Sequence, residues 1–490
     1  MFQEIKRLIK HTIVYGIGGM LGKFIGFLMI PIYTRFLTTT DYGILELIDV
    51  SSYIIFEILV LGISFSILRF YHLYDNQIDK NKVVSTAIIF SILNSVLIIL
   101  ILSNFTREIS EIIFKTDRYS YLLKIVLIAI LFEGGYIPAL DSLRAKGKST
   151  VYTLISISRL VAGLSLNIYF VVILRKGVVG ILYSRLIINF FTFIFLVPMV
   201  LREVKIRFDI KKLKEMLCYS IPFVPASFAM YVLHFMDRFL LGRFSNLKIV
   251  GLYSLGHKFG MILSVLITGP FYLMWSSFMF EVAKKENAKK IYARVLSYFT
   301  FIAVFFGLAL SVLIKDVLKI MAAPSFFDAH KVTPLILLGY IFFGAYFVFQ
   351  VGICIEKKTK WLAIITWIGG VTSVGINLIL IPKYNMIGAG VTNTISFFVM
   401  SLCCYFISNK LYYIRYEIFR VLKIFLTAIG LYLFSLIITL DSILFSILLK
   451  GLLLLSFPVV LYFTNFYFDD EKDKLKEVGR IIYSKITVRG

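Results

Sequence analysis

The chain has 490 residues, 59% of them hydrophobic and only 16% charged, with a mean hydropathy of +0.88. Soluble domains carry about 25% charged and about 45–50% apolar residues, so a chain built of soluble domains is excluded. The formal charge of +24 does not point to nucleic acid, because no basic run is interleaved with aromatics in a soluble segment. The Lys and Arg excess is instead what the cytoplasmic loops of a membrane protein collect.

The N-terminus, MFQEIKRLIKH, is basic and leads into an apolar run from His11 to Leu37. No small-residue cleavage site ends that run, so it predicts a first membrane helix rather than a leader. Runs long enough to cross a bilayer recur at about 43–73, 83–103, 121–143, 151–174, 178–200, 218–241, 248–280, 292–314, 332–355, 361–381, 386–408, 418–440 and 443–466. Backbone hydrogen bonds must close within each run in lipid, so all are helices. The fold class expected is an all-α integral membrane protein with 14 transmembrane helices, in two pseudo-symmetric six-helix lobes plus two C-terminal helices.

The loops RAKGKST, LREVKIRFDIKKLKEML, EVAKKENAKKIYAR and EKKTK, with the tail from Asp469, hold most of the basic loop residues. That asymmetry places both termini in the cytoplasm of a multi-pass protein. The division that follows is an N-terminal lobe at 1–200, a charged amphipathic cytoplasmic linker at 201–217, a C-terminal lobe at 218–409, two additional helices at 410–468 and a cytoplasmic tail at 469–490. Pro31, Pro138, Pro198, Pro222, Pro225 and Pro270 should kink or end helices. Cys218, Cys354, Cys403 and Cys404 make no CxxC pair, and the five histidines show no ligand spacing, so neither a disulfide framework nor a structural metal is expected. No cofactor is implied.

The two halves repeat. TRFL at 34–37 lies on DRFL at 237–240, and with a short insertion Gly43 lies on Gly251 and Asp49 on His257. Further along, a shift of 210 puts Lys148 on Lys358, Asn167 on Asn377 and Gly180 on Gly390. Matches in constant order at nearly constant shift predict an internal duplication whose halves enter the membrane in the same sense, as in parallel-repeat transporters with a substrate site between the repeats.

Several charges fall inside the apolar runs. Arg69, Lys124, Lys450 and, in one reading, Arg238 lie near span ends, where snorkelling accounts for them. Lys23 and Arg159 lie deep, and Arg185 and Lys258 about a third of the way in. A midplane cation costs at least about 2.5–3.5 kcal/mol and needs water or a partner. Two readings stay open: internal ion pairs with Glu46, Asp49, Glu57, Glu133, Asp141 or Asp237, or a wet cationic cavity for an anionic substrate. Glu46, Asp49, Tyr53 and Glu57 form one helical stripe, Ser227, Tyr231, His234 and Arg238 a second, and Ser254, His257 and Lys258 share a face. Arg185 and Asn189 stand four apart. The candidate substrate-binding cations are therefore Lys23, Arg159, Arg185, Lys258 and Arg238. The candidate acids for proton or sodium coupling, or for plain charge balance, are Glu46, Asp49 and Glu57. No catalytic residue and no metal ligand is picked out.

The segment IPIYTRFLTTTDYGILELI resembles the opening of the polysaccharide (O-antigen-type, Wzx-like) flippases of the multidrug/oligosaccharidyl-lipid/polysaccharide exporter superfamily. Its Pro, Arg, Leu, small polar loop and Tyr-Gly are the elements that match. LRAKGKSTVYTLISISRLVAGLSLNIYFVVILRKGVVGILYSRLI is similar to that family's fourth-loop-to-sixth-helix region. The resemblance covers about residues 1–466 and implies a non-enzymatic flippase of the bacterial cytoplasmic membrane. Its substrate would be a polyprenyl-pyrophosphate-linked oligosaccharide, moved to the outer leaflet by alternating access for surface polysaccharide synthesis. Its partners would be that lipid-linked substrate, membrane lipids and other polysaccharide-assembly membrane proteins. Arg and Lys suit the diphosphate. The alternatives are a peptidoglycan lipid-precursor flippase, a multidrug/toxin extruder of the same superfamily, and, from another class, a membrane glycosyltransferase or polysaccharide polymerase. No loop reaches the size that class usually needs.

Overall fold

The computed structural model describes residues 26–438 and 442–473. Every regular element among them is a helix. In chain order these are α1 (Ile30–Phe36), α2 (Thr39–Val60), α3 (Ile63–Leu73), α4 (Gln77–Asn104), α5 (Thr106–Phe114), α6 (Ser120–Ala145), α7 (Ser149–Asn167), α8 (Gly177–Val204) and α9 (Ile210–Ser220). There follow α10 (Val224–Phe244), α11 (Leu247–Leu263), α12 (Gly269–Val282), α13 (Ala288–Met321), α14 (Thr333–Phe349), α15 (Val351–Ile355), α16 (Lys360–Leu411), α17 (Ile418–Ser435) and α18 (Ile443–Phe463). Twelve helices among the described residues are long and apolar enough to cross a bilayer.

The expected spans match these helices with three differences. The first span, 11–37, lies mostly outside the described residues, and only α1 represents its end. The span at 43–73 is two helices, because Leu61 and Gly62 both turn left-handed (φ 46° and 66°) and stop α2. Glycine suits that corner twice over: a Cβ on Gly62 would also come within 3.2 Å of the Ser220 carbonyl oxygen. The spans at 361–381 and 386–408 run together as α16, broken only at Asn385 (φ 50°, ψ −128°). Proline divides as its chemistry requires: Pro31, Pro222, Pro225 and Pro270 occupy first-turn positions with no N–H to lose, whereas Pro138 and Pro198 sit inside α6 and α8.

The duplication is visible in the backbone. Gly147 and Lys357, 210 apart, both have positive φ (69° and 55°), and so do Arg175 and Asn385 (49° and 50°), also 210 apart. Such conformations are uncommon in non-glycine residues, so their coincidence at the repeat spacing is informative. The N-caps match as well. Thr38 caps α2, accepting from Asp41 N–H at 3.1 Å, while the Asp41 carboxylate accepts from Thr38 N–H at 3.0 Å. Asn246, 208 residues on, caps α11 by accepting from Ile249 N–H at 3.0 Å.

The chain divides into two compact units. One comprises residues 1–259, 321–332 and 363–399; the other comprises 260–320, 333–362 and 400–490. Within the first, α4, α6 and α8 pack through Val84, Ile88, Tyr136, Ala139, Leu143, Val197 and Val200. In the second, α18 is tied to α13 by a buried ion pair, Lys450 Nζ to Asp316 at 2.6 Å, with Ser446 donating to the same carboxylate at 3.1 Å. Lys450 therefore does not snorkel. An acid within reach on the neighbouring helix compensates it more directly than a distant headgroup would. Lys124, exposed near the start of α6, fits the snorkelling expectation, and Arg69 lies 4.1 Å over the Tyr219 ring.

Candidate functional site

Asp41, Tyr42 and Gly43 of the TDYG stretch organise the site, each by a different interaction. Asp41 closes the α2 cap. Tyr42 is buried, packs edge-on against Phe326 and accepts from Lys258 Nζ at 3.0 Å. Gly43 lets α2 meet α11 backbone to backbone. A Cβ there would stand 2.9 Å from the Leu247 carbonyl carbon and 3.1 Å from Gly251 N, while a Cβ on Gly251 would stand 3.0 Å from the Thr39 carbonyl carbon and 3.1 Å from Gly43 N. Gly43 faces Leu247 and Gly251 faces Thr39, which are matching positions at a shift of 208. This reciprocity is what a local two-fold between repeat copies produces.

Below this crossing the polar stripe of α2 meets its counterparts. Glu46 is buried and ion-pairs with Lys258 of α11, and its second oxygen is 3.5 Å from Arg238 Nε of α10. Arg238 also holds Asp237 at 3.1 Å and donates to the His234 carbonyl at 3.0 Å, while Tyr253 donates to Asp237. Arg238 is buried at 2% exposure, so the snorkelling reading fails for it. Two carboxylates compensate the guanidinium within the protein. One turn on, Asp49 meets Arg185 of α8 at 3.3 Å, and Arg185 holds Glu133 of α6 at 3.1 Å. Tyr53 stacks on Tyr231 at 4.6 Å, Tyr231 donates to the Val50 carbonyl, and Glu57 lies beside Tyr53.

Asn189 extends this second cluster. It donates to Glu133 at 3.2 Å and to the Ala129 carbonyl at 3.0 Å, and accepts from Arg159 at 3.2 Å. Arg159 also donates to the Tyr136 hydroxyl and lies 4.3 Å over that ring. Four cations (Arg159, Arg185, Arg238, Lys258) thus share two clusters with four acids (Glu46, Asp49, Glu133, Asp237), and the formal charges cancel. The two readings left open by the sequence meet here: Arg185, Arg238 and Lys258 pair internally, yet the Arg185–Asp49 pair keeps 29% and 51% of its side-chain surface exposed.

Of the expected site residues, Lys23 lies outside the described residues. Arg238 and Lys258 meet on Glu46, Arg185 meets Asp49, and Arg159 reaches that pair only through Asn189 and Glu133. The hydroxyls of Tyr42, Tyr136 and Tyr253 were not singled out from sequence. The usable signal was Tyr42 in the TDYG stretch; the others are indistinguishable among 29 tyrosines. Among the described residues no group of three or more His, Cys, Asp or Glu is placed to hold a metal ion.

A family model described as polysaccharide biosynthesis protein matches residues 8–275. No protein of curated function matches by sequence. Among solved structures, the chain is similar to the lipid II flippase MurJ in an inward closed conformation, with a TM-score of 0.74 and 16% identity over 94% of this chain and 100% of that one. It is also similar to an inward-facing multidrug-resistance MATE family transporter of the MOP superfamily, with a TM-score of 0.58 and 16% identity over 82% and 94%. A Vibrio cholerae MATE transporter matches with a TM-score of 0.57 and 13% identity over 83% and 96%. At these identities the likeness establishes the fold.

Proposed function

The chain belongs to the polysaccharide biosynthesis protein family, and from that premise we propose that it is a flippase for a polyprenyl-diphosphate-linked oligosaccharide. The observation that carries the reading is the half-exposed Arg185–Asp49 pair, set beside Glu133 within apolar spans. A guanidinium whose carboxylate partner is half in solvent can exchange it for a phosphate without a new desolvation cost, and its forked donors fit phosphate oxygens. Lys258 and Arg238 hold two further cationic donors one turn away on Glu46. Such a site stabilises the diphosphate during a crossing that would otherwise bury its charges in hydrocarbon.

With both termini in the cytoplasm, the Gly43–Gly251 crossing lies at the outer end of the spans and closes the outer exit. Substrate enters from the cytoplasmic side, displaces Asp49 from Arg185, and leaves outward once α2 and α11 separate, with the lobes at 1–200 and 218–409 rocking about each other. Glu46 and Asp49 balance the cations when substrate is absent, Glu57 stands further along the same stripe beside Tyr53, and Asp49 is the acid best exposed to take a coupling ion. Lys23 is assigned to the same cationic surface on its position in the sequence alone.

The test is reconstitution into liposomes with a polyprenyl-diphosphate oligosaccharide, reading its arrival in the opposite leaflet by an impermeant glycosidase. Parallel arms carry the lipid precursor of peptidoglycan, which shares the diphosphate, and a cationic drug. Transport of the oligosaccharide that falls in Arg185→Gln and Lys258→Gln supports the reading. Transport of only the precursor or the drug overturns it.

A further inference from the structure

An apolar groove of about 480 Å³ runs between α7 and α8, lined among others by Leu154, Ser158, Arg159, Phe191, Thr192 and Phe195. Its volume lies within the usual range for pockets that enclose a small molecule. Helix α7 with its π-helical end (Ser149–Ile173) is the least buried of the twelve candidate spans, with 6% of its apolar window inside the protein. Leu154 and Phe195 are 65% and 70% exposed. Among the described residues the groove contains one cation, Arg159. Arg185, Arg238 and Lys258 each contact a carboxylate, whereas Arg159 has, among the described residues, only the neutral oxygens of Tyr136 and Asn189, and its Nε is buried without a hydrogen-bond partner among them. A guanidinium in an apolar span costs several kcal/mol when nothing anionic compensates it.

Arg159 also marks a change of environment. On one side lies the groove; on the other, Asn189 leads to Glu133, Arg185 and Asp49. An amphiphile with an anionic junction matches that boundary: chain in the groove, phosphate on Arg159, polar head along the network. Depth selects among such amphiphiles. Arg159 stands ten residues into α7, about 15 Å along a helix, which is half the ~30 Å hydrocarbon thickness. A resident phospholipid keeps its phosphate at the headgroup level. A phosphate at mid-depth belongs to a lipid in passage.

We propose that the α7–α8 groove seats the isoprenoid chain of the transported lipid, with Arg159 engaging its diphosphate. This rests on the function proposed above and adds where the chain goes. The probes are farnesyl diphosphate, farnesol and phosphatidylglycerol, measured by native mass spectrometry on the full-length protein in detergent. Ala162→Trp and Leu154→Trp fill the groove from exposed positions that leave the polar network untouched, and their melting temperatures check folding. Farnesyl diphosphate should bind the parent and weaken by about tenfold or more in both Trp variants and in Arg159→Gln. Farnesol should lose affinity in the Trp variants only.

Equal binding of farnesyl diphosphate to parent and folded Trp variants overturns the assignment. So does competition by phosphatidylglycerol at equal concentration, which makes the groove a bulk-lipid site. The liposome assay separates the two claims. If the Trp variants still move the oligosaccharide while Lys258→Gln does not, the groove fails and the function stands. If the parent moves no lipid-linked glycan, the function fails, and with it the identity of the groove's occupant.

Discussion

If the Gly43–Gly251 crossing is the outer gate of the proposed cycle, a single added methyl should open it. Adding one methyl as Gly43→Ala places a carbon 2.9 Å from the Leu247 carbonyl carbon and 3.1 Å from Gly251 N. Comfortable contact needs about 3.5–4.0 Å. The obstructing atoms are backbone on a helix, with the Leu247 carbonyl oxygen closest of all, so no rotamer relieves the clash, and α2 and α11 must part by about an ångström or more. Overpacking of this kind costs about 1–3 kcal/mol. The cost falls only on the form in which the crossing is closed, so the equilibrium shifts toward the separated form by about 5- to 150-fold. Gly251→Ala should do the same, and the double variant should fall short of the sum because both methyls press on one contact. Val250, fully buried beside the crossing, is the reporter. In a background without the four native cysteines, Val250→Cys should react slowly with an impermeant maleimide applied outside, and faster by at least about fivefold when Gly43→Ala is added. Unchanged labelling together with an unchanged melting temperature in both alanine variants would refute the reasoning, because the crossing would then be neither tight nor a gate.

Other outcomes follow from single contacts. Lys450→Met leaves Asp316 buried and uncompensated, so it should cost about 3–5 kcal/mol, and adding Asp316→Leu should recover part of the loss; detergent melting curves of the single and double variants read this. Asp209 caps α9, accepting from Lys211 and Lys212 N–H at 3.1 and 3.2 Å. The bond from Lys212 N–H leads in holding its carboxyl below the ordinary carboxylate value. Its folded pKa is the lower one, so its stabilisation is complete above the unfolded value of about 3.9 and fades as pH falls through the folded value. Asp209→Ala should therefore cost about 0.5–2 kcal/mol at neutral pH and progressively less in acid, as read by melting temperature against pH. Asn385→Gly should raise stability by up to about 1 kcal/mol, since glycine adopts the φ 50°, ψ −128° corner without a Cβ penalty; chemical denaturation of the two proteins checks it. Glu46→Gln leaves Lys258 without its carboxylate, so diphosphate should bind more tightly and leave more slowly, which steady-state transport would read as lower kcat with lower KM.

The sequence by itself determined the helical class, the position of most spans and the duplication, because hydrocarbon forces each apolar run to close its own hydrogen bonds. It also put Glu46, Asp49 and Tyr53 on one stripe and aligned Gly43 with Gly251 as repeat equivalents, since helical period and repeat spacing are one-dimensional properties. What it could not decide was how each charge is compensated. Arg238 and Lys450 looked like snorkelling side chains until the fold brought Glu46 and Asp316 to them. Arg159 and Arg185 differed in the sequence only by depth; in the fold α6 and α8 supply Arg159 with a tyrosine and an asparagine, whereas α2 and α6 supply Arg185 with two carboxylates. The energy of a charge in a membrane depends on the atoms within about 4 Å of it, and those atoms come from helices dozens to hundreds of residues away. Only tertiary structure selects which of them arrive.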